Sequence, residues 1–287
     1  MNKIIISVII AIFCITPIFA QDYLSLGDEA YDNGELQKAI SYYEKGAANG
    51  DGYCCATLTS IYFGGTELGS DLEKALSWAK KGYELKDAYS TGMLGYLSFF
   101  TKANLRDLTG MQQAVDYMAE GCLLAEKEEN FDPLFGSLAN MLAGYYVETS
   151  DVPNCKKWLK FATDHYLYTP DVIGNTSYIY LVLKDYSNAY KYAMLANQDE
   201  KLYSNFVIGF CLANGVGGVE ANQPKAFKHM QSAALIGMPN GKAEYMMGVF
   251  YEKGIGCIKN MATAKEWYRK GAKKGDDQAT LKLKQLQ

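Results

Sequence analysis

The chain has 287 residues, 49% of them hydrophobic and 21% charged, with a formal net charge of −4. Mixed charge with a slight acidic excess gives no electrostatic footprint for nucleic acid. Two histidines, and cysteines without CxxC or Cys/His ligand spacing, exclude a recognisable zinc site or acyl-transfer triad.

Residues 1–20 carry Lys3, an apolar stretch from Ile4 to Phe13, Pro17 and an Ile-Phe-Ala ending. That pattern predicts a secretory signal peptide cut after Ala20, and so an exported protein of the periplasm, cell surface or medium. No later stretch is apolar enough to span a bilayer.

From there the chain repeats. A small residue is followed three places on by an aromatic or His, and seven places on by Gly or Ala, at Ala39/Tyr42/Gly46, Ala75/Trp78/Gly82, Ala114/Tyr117/Gly121, Cys155/Trp158/Ala162, Ala189/Tyr192/Ala196, Ala226/His229/Ala233 and Ala264/Trp267/Gly271. These offsets share one helix face, and small residues flanking a bulky one allow a neighbouring helix to approach closely. The ladder recurs every 34 to 41 residues, the period of two-helix repeats. Seven helical hairpins are predicted near 22–50, 51–86, 87–125, 134–165, 170–200, 201–237 and 240–275, with a capping helix at 277–287. Together they make a single array over 21–287.

Each hairpin's first helix begins from its own small position. Cys54, Ser204 and Ala243 stand 21 or 22 residues before the ladder, with Gly65, Gly215-Val-Gly217 and Gly254-Ile-Gly256 between the helices. Asp22, Leu138 and Val172 stand only seventeen residues before it. The third unit, Ser90 to Gly121, has Thr101–Asp107 in place of a glycine loop, and Glu126–Pro133 is an acidic insertion without repeat signature.

The stretches AEYMMGVFYEKGIG (243–256) and ATAKEWYRKGAKKGD (262–276) resemble a Sel1-like repeat, as do the units beginning at Cys54 and Ser204. The seventeen-residue units, above all the first with Asn33-Gly34, resemble the related tetratricopeptide repeat. The resemblance implies an all-α, right-handed α-α superhelix, a solenoid that binds proteins and has no catalytic residues, metal or cofactor.

The ladder absorbs several residues that could suggest chemistry. His229 is a rung and reads as a packed helix histidine, and His165 as a loop or helix-end residue. Cys155 is also a rung, Cys122 follows one, and Cys54 opens a unit, so these read as small packing residues. Cys257 falls in a predicted loop. The run Gly215-Val-Gly217-Gly218 lacks a preceding strand and a GK[ST] ending, and reads as an interhelix turn.

In the resembling family the first helices line the concave side. Offsets of −1, +2, +6, +9 and +10 from the small position then project Tyr53, Ala56, Ser60, Phe63 and Gly64 in the second unit. They project Tyr89, Gly92, Tyr96, Phe99 and Phe100 in the third, Tyr203, Phe206, Phe210, Ala213 and Asn214 in the sixth, and Lys242, Tyr245, Val249, Glu252 and Lys253 in the seventh. The aromatic members suit recognition of a protein or peptide segment. A glycan or cell-wall fragment is the alternative ligand, favoured by flat coplanar rings with flanking carboxylates, whereas Asn and Lys clamps favour peptide.

Overall fold

The computed structural model describes residues 22–65, 69–105, 107–130, 132–166, 169–196, 202–238 and 240–286. The expected signal peptide, 1–20, lies outside the described residues. Fifteen helices and no extended strand are found among those residues. They pair as α1 (Tyr23–Asp32) with α2 (Leu36–Ala48), α3 (Gly52–Gly64) with α4 (Leu72–Glu84), α5 (Ala88–Asn104) with α6 (Leu108–Lys127), and α7 (Pro133–Glu148) with α8 (Val152–His165). The series continues with α9 (Pro170–Val182) and α10 (Tyr186–Ala196), α11 (Leu202–Asn214) and α12 (Gln223–Ile236), α13 (Lys242–Lys253) and α14 (Met261–Lys273), then α15 (Asp277–Gln285). The hairpins form two compact units. One runs to Leu85 with α1–α4, and the other from Lys86 with α5–α15.

Helix starts are written locally. Asp22, Asp51, Asp71, Asp87, Asp107, Asp132, Asp151 and Asp276 each stand at an N-cap and accept a hydrogen bond from a first-turn backbone N–H, and Asn222 and Asn260 do the same.

The two interhelix spacings close in two ways. In the short hairpins the Glu35, Asp151 and Asp185 N–H groups donate to the carbonyls of Ala30, Tyr146 and Tyr180, five residues back, at 2.8, 2.8 and 3.0 Å. This closure puts one residue in the left-handed region: Gly34, Ser150 or Lys184. In the glycine-loop hairpins the Asp71, Asn222 and Asn260 N–H groups instead reach Tyr62, Leu212 and Tyr251 at 2.8–2.9 Å. The third unit keeps the five-residue closure, the Asp107 N–H donating to the Lys102 carbonyl at 3.0 Å, but residues 101–104, free of Gly and Pro, lengthen α5, and 126–127 lengthen α6.

Helices within a hairpin meet through small residues. A side chain at Gly95 would strike the Met118 backbone nitrogen at 2.5 Å, one at Gly209 the Met230 nitrogen at 3.0 Å, and one at Gly27 or Gly248 would collide with the ring of Tyr43 or Tyr268. The buried knob of the second helix is therefore four residues after the small rung rather than three. Tyr43, Met118, Leu159, Met230 and Tyr268 are buried, whereas Tyr42, Trp78, Tyr117, His229 and Trp267 are half-exposed. At about 100° per residue, +4 and +7 fall within about 40° of the rung while +3 lies about 60° off it. The +3 aromatic sits at the edge of the contact, and a lysine three residues on covers it, as Lys45 over Tyr42 (5.3 Å), Lys81 over Trp78 (4.9 Å) and Lys270 over Trp267 (4.1 Å). Trp158 and Tyr192 are exceptions and are buried.

The cysteines follow the packing. Cys54, Cys55, Cys122, Cys155 and Cys211 are buried, Cys257 is half-buried with its thiol toward the Phe250 carbonyl, and no disulfide joins them. Burial pushes the Cys155 and Cys211 thiols up to about 11, so they are protonated at neutral pH.

The final hairpin is tied to α15 by polar contacts. The Tyr268 hydroxyl donates to Glu252, and Lys282 donates to the other Glu252 oxygen at 2.9 Å. Burial raises the Glu252 carboxyl, but these two bonds outweigh it and hold the group below its usual range.

Two predictions follow from this geometry. Lys184→Gly relieves a left-handed lysine (φ 61°) and raises stability by about 1 kcal/mol, while Gly256→Ala drives a Cβ into the Gln223 carbonyl and lowers it by about 2 kcal/mol or more, both read from urea midpoints. A carboxyl held low in the fold stabilises above its unfolded pKa of about 4.3, and that contribution disappears as pH falls through the folded value. The difference in thermal midpoint between wild type and Glu252→Gln therefore shrinks from pH 6 to pH 3.

Candidate functional site

A cleft of about 630 Å³ opens within the Lys86–Gln287 unit. Its lining comes from successive first helices: Tyr96 of α5, Ser137, Asn140, Met141, Gly144, Val147 and Glu148 of α7, Asn175, Tyr178, Ile179 and Val182 of α9, Tyr203 of α11, and Asn240 and Lys242 at the start of α13. Second helices contribute none of these residues, because their small face is spent on packing between hairpins.

Asn140 holds the floor. It is buried, its Nδ2 donates to the Val172 carbonyl at 2.7 Å, and its Oδ1 accepts from the Thr176 hydroxyl at 3.0 Å. One amide thus fastens α7 to α9 with both of its ends satisfied. On the wall the Tyr178 ring lies 5.4 Å from that of Tyr203, tilted by 45°, and 5.9 Å from Phe206 edge-on. Near the α5 end, Tyr96 meets Phe100 at 5.0 Å.

The aromatics projected from sequence divide into three groups. Tyr96 and Tyr203 line the cleft. Tyr53, Phe63 and Phe100 are exposed, with Tyr53 and Phe63 in the other unit. Tyr89, Phe99, Phe210 and Tyr245 are half-buried against Phe135, Tyr145, Tyr186 and Tyr268 respectively.

Phe206 is a correction: only 2% of it is accessible, and it belongs to the core. The reason is general to its offset. Position +2 faces the adjacent first helix, so Ala56, Gly92 and Asn140 are buried as well. A Cβ on Gly92 would meet Leu138 of the next hairpin at 2.7 Å.

The α7 and α9 residues were missed, although the signal was present. The same offsets counted from Leu138 name Ser137, Asn140, Gly144, Val147 and Glu148, all of which line the cleft, and from Val172 they name Tyr178 and Val182.

The unit ending at Leu85 has a smaller cleft of about 390 Å³ between α1 and α3, lined by Asp28, Tyr31, Tyr43, Thr57, Ser60, Ile61, Gly64 and Gly65. The Tyr43 hydroxyl donates to Asp28 at 2.8 Å there. Ser60 and Gly64 were projected from sequence.

The histidines are engaged elsewhere. His229 Nδ1 is 2.7 Å from Asn205 Oδ1, and burial, reinforced by Lys225, holds its pKa down. His165 ends α8 with its Nε2 3.3 Å from Glu126. Among the described residues there is no group of three or more His, Cys, Asp or Glu side chains able to hold a metal, and no helix long and apolar enough to cross a membrane.

Because Asn140 joins two hairpins through buried hydrogen bonds, Asn140→Ala is expected to cost about 2 kcal/mol, read by calorimetry, whereas the partly exposed cleft-wall change Val182→Ala should stay within about 0.5 kcal/mol.

Comparison with known proteins agrees with this architecture. The Sel1 repeat family matches at residues 20–51, 56–87, 202–238 and 241–276. The chitin synthase regulator SKT5 of Saccharomyces cerevisiae is 37% identical over 81 residues, 27% of this chain and 11% of that protein. The protein of the same name from Malassezia restricta is 30% identical over 95 residues, 33% of this chain and 6% of the relative. The chain thus spans about a tenth or less of the length of these curated relatives.

Among solved structures, c5321, a protective antigen of uropathogenic Escherichia coli displaying an SLR fold, superposes with a TM-score of 0.64 at 19% identity, covering 91% of this chain and 56% of that one. A Sel1 repeat protein from Oxalobacter formigenes gives 0.63 at 17% identity, covering 87% and 96%. At these identities the likeness is one of fold. With four family matches carried on hairpins of that same all-helical solenoid architecture, the chain is a Sel1-repeat protein.

Proposed function

We propose that the protein is a non-catalytic interaction scaffold of the bacterial cell envelope, exported by its N-terminal segment, that holds a peptide or protein segment in the cleft of the Lys86–Gln287 unit. Sel1 repeats generally serve protein interaction, and the matched Saccharomyces protein is by name a regulator. The observation that carries the finer reading is the lining itself: one continuous wall drawn from first helices of successive hairpins, with tyrosines beside amide and lysine side chains.

That composition favours peptide over sugar. Tyr178 and Tyr203 are tilted at 45° rather than coplanar, Glu148 is the sole carboxylate of the lining among the described residues, and Asn175, Asn240 and Lys242 offer donors to a peptide backbone or acidic group. Tyrosine supplies contact area at low entropy cost, and its hydroxyl remains a hydrogen-bonding tip.

The test is selection of a random decapeptide library on the full chain. Tyr178→Ala, and separately Val182→Arg, which fills the cleft from a partly exposed position, should each weaken the selected peptides at least tenfold, or about 1.4 kcal/mol, Val182→Arg with little change in thermal midpoint. Leu235→Ala, exposed on α12 outside the cleft, should leave binding unchanged. Equal binding by all variants would remove the cleft from the interaction.

A further inference from the structure

Among the described residues the cleft's lining carries one charge of each sign. Glu148 is the last residue of α7 and Lys242 the first of α13, both are exposed, and both line the cavity. Each stands at the unfavourable end of its own helix, an acid at the negative C-terminus and a base at the positive N-terminus. Neither makes an ion pair among the described residues. Of the first-turn bases, Lys38 and Lys74 are paired locally with Glu35 and Asp71, whereas Lys225, and the acids Asp32 and Glu84 that end α1 and α4, make no ion pair among the described residues and line neither cleft. What sets Glu148 and Lys242 apart is their place: two exposed charges of opposite sign, without an ion pair among the described residues, line one cleft and so offer complementary contacts to an occupant.

Their separation sets the ligand's length. Lys242 stands one residue before the small position Ala243, just as Ser137 stands one before Leu138, so the two hold equivalent places in the repeat frame. Glu148 lies eleven residues further along α7, about 16 Å at 1.5 Å per residue. Three hairpins of sideways offset add to that. An extended chain covers about 3.3 Å per residue, so an occupant touching both charges has at least about five residues between its own two. Between them Asn175, whose amide makes no hydrogen bond among the described residues, faces the occupant's backbone, and Met141, Val147, Ile179 and Val182 face its apolar side chains.

We infer that the occupant is an extended peptide segment of mixed charge, with a Lys or Arg side chain against Glu148 and an acidic side chain or terminal carboxylate against Lys242, five or more residues apart. This rests on the peptide reading of the cleft and goes beyond it by assigning the segment's polarity.

The test uses the full chain and a positional library of acetylated, amidated decapeptides, with binding read by fluorescence anisotropy at 50 and 300 mM salt. Wild type should enrich peptides with a basic residue toward one end and an acidic residue toward the other, and lose affinity at high salt. Glu148→Lys and Lys242→Glu should each weaken the enriched peptides about tenfold. The double reversal should recover binding to peptides of inverted charge order, an outcome a purely structural role would not produce. Both positions are exposed, so an unchanged thermal midpoint certifies each variant, and Glu148→Gln and Lys242→Gln serve where a reversal disturbs the fold. Enriched peptides without charge order, held equally by both Gln variants and weakened by Tyr178→Ala, would overturn the polarity and leave the peptide reading standing. No enrichment, or binding indifferent to Tyr178→Ala, would overturn both, as would capture of glycan fragments in place of peptides.

Discussion

The structure depends on how closely the two helices of a hairpin can approach. Gly27, Gly95, Gly209 and Gly248 on first helices leave no room for a side chain opposite Tyr43, Met118, Met230 and Tyr268 on the second. On second helices, the seventh-place glycine lies against helix starts: Gly46 against Cys54, Gly121 against Gly92, and Gly271 against Gly241 and Ala279. Backbone approach of this kind is available only without a Cβ, and it accepts the conformational cost of glycine in a helix in exchange for dispersion contact along the seam. Because the second helix is consumed by these contacts, the first helices keep an outward face, and the large cleft is built from it.

The same geometry divides labour among polar residues. Aspartates cap helices and are local in effect, and lysines cover the half-exposed aromatic rungs. Beside the contacts of Tyr145 with Gln112 and of His165 with Glu126, two sets of polar contacts between hairpins bear on the cleft and on the last described helix. Asn140 ties α7 to α9 beneath the cleft, and Glu252 with Tyr268 and Lys282 ties the last hairpin to α15. The first holds the wall of a recognition surface in register. The second fastens α15 against the last described hairpin. None of these groups is arranged as nucleophile and base, and the strongly shifted groups, such as the buried thiols of Cys155 and Cys211, are shifted by burial toward inertness.

Much of the fold was legible because the relevant physics is short-range. Caps, left-handed turn residues and glycine loops are decided within a few residues of one another. The ladder of small residues also declared its period, although its geometry was misread by one place: the aromatics three residues on are conspicuous in the sequence, yet the knob that enters the core is at the fourth. The departures in the third unit were visible as missing glycines, and their outcome, longer helices, follows from the absence of any residue that stops one. The site was less legible. Tyr96, Tyr203 and Lys242 were projected correctly, while Phe206 was placed on the surface when it is core, and α7 and α9 were passed over although Leu138 and Val172 mark the same frame.

Sequence by itself determined the helical hairpins, their number, their two turn types and the family to which they belong, since each depends on periodicity and on backbone preferences read locally. Tertiary structure alone decided which residues of the first helices face a neighbour and which face the cleft. Positions +2 and +6 differ by little more than a helical turn, and both carry aromatics. Only the approach of the adjacent hairpin buries Phe206 at +2, while Tyr178 at +6 and Tyr203 at −1 stay on the wall.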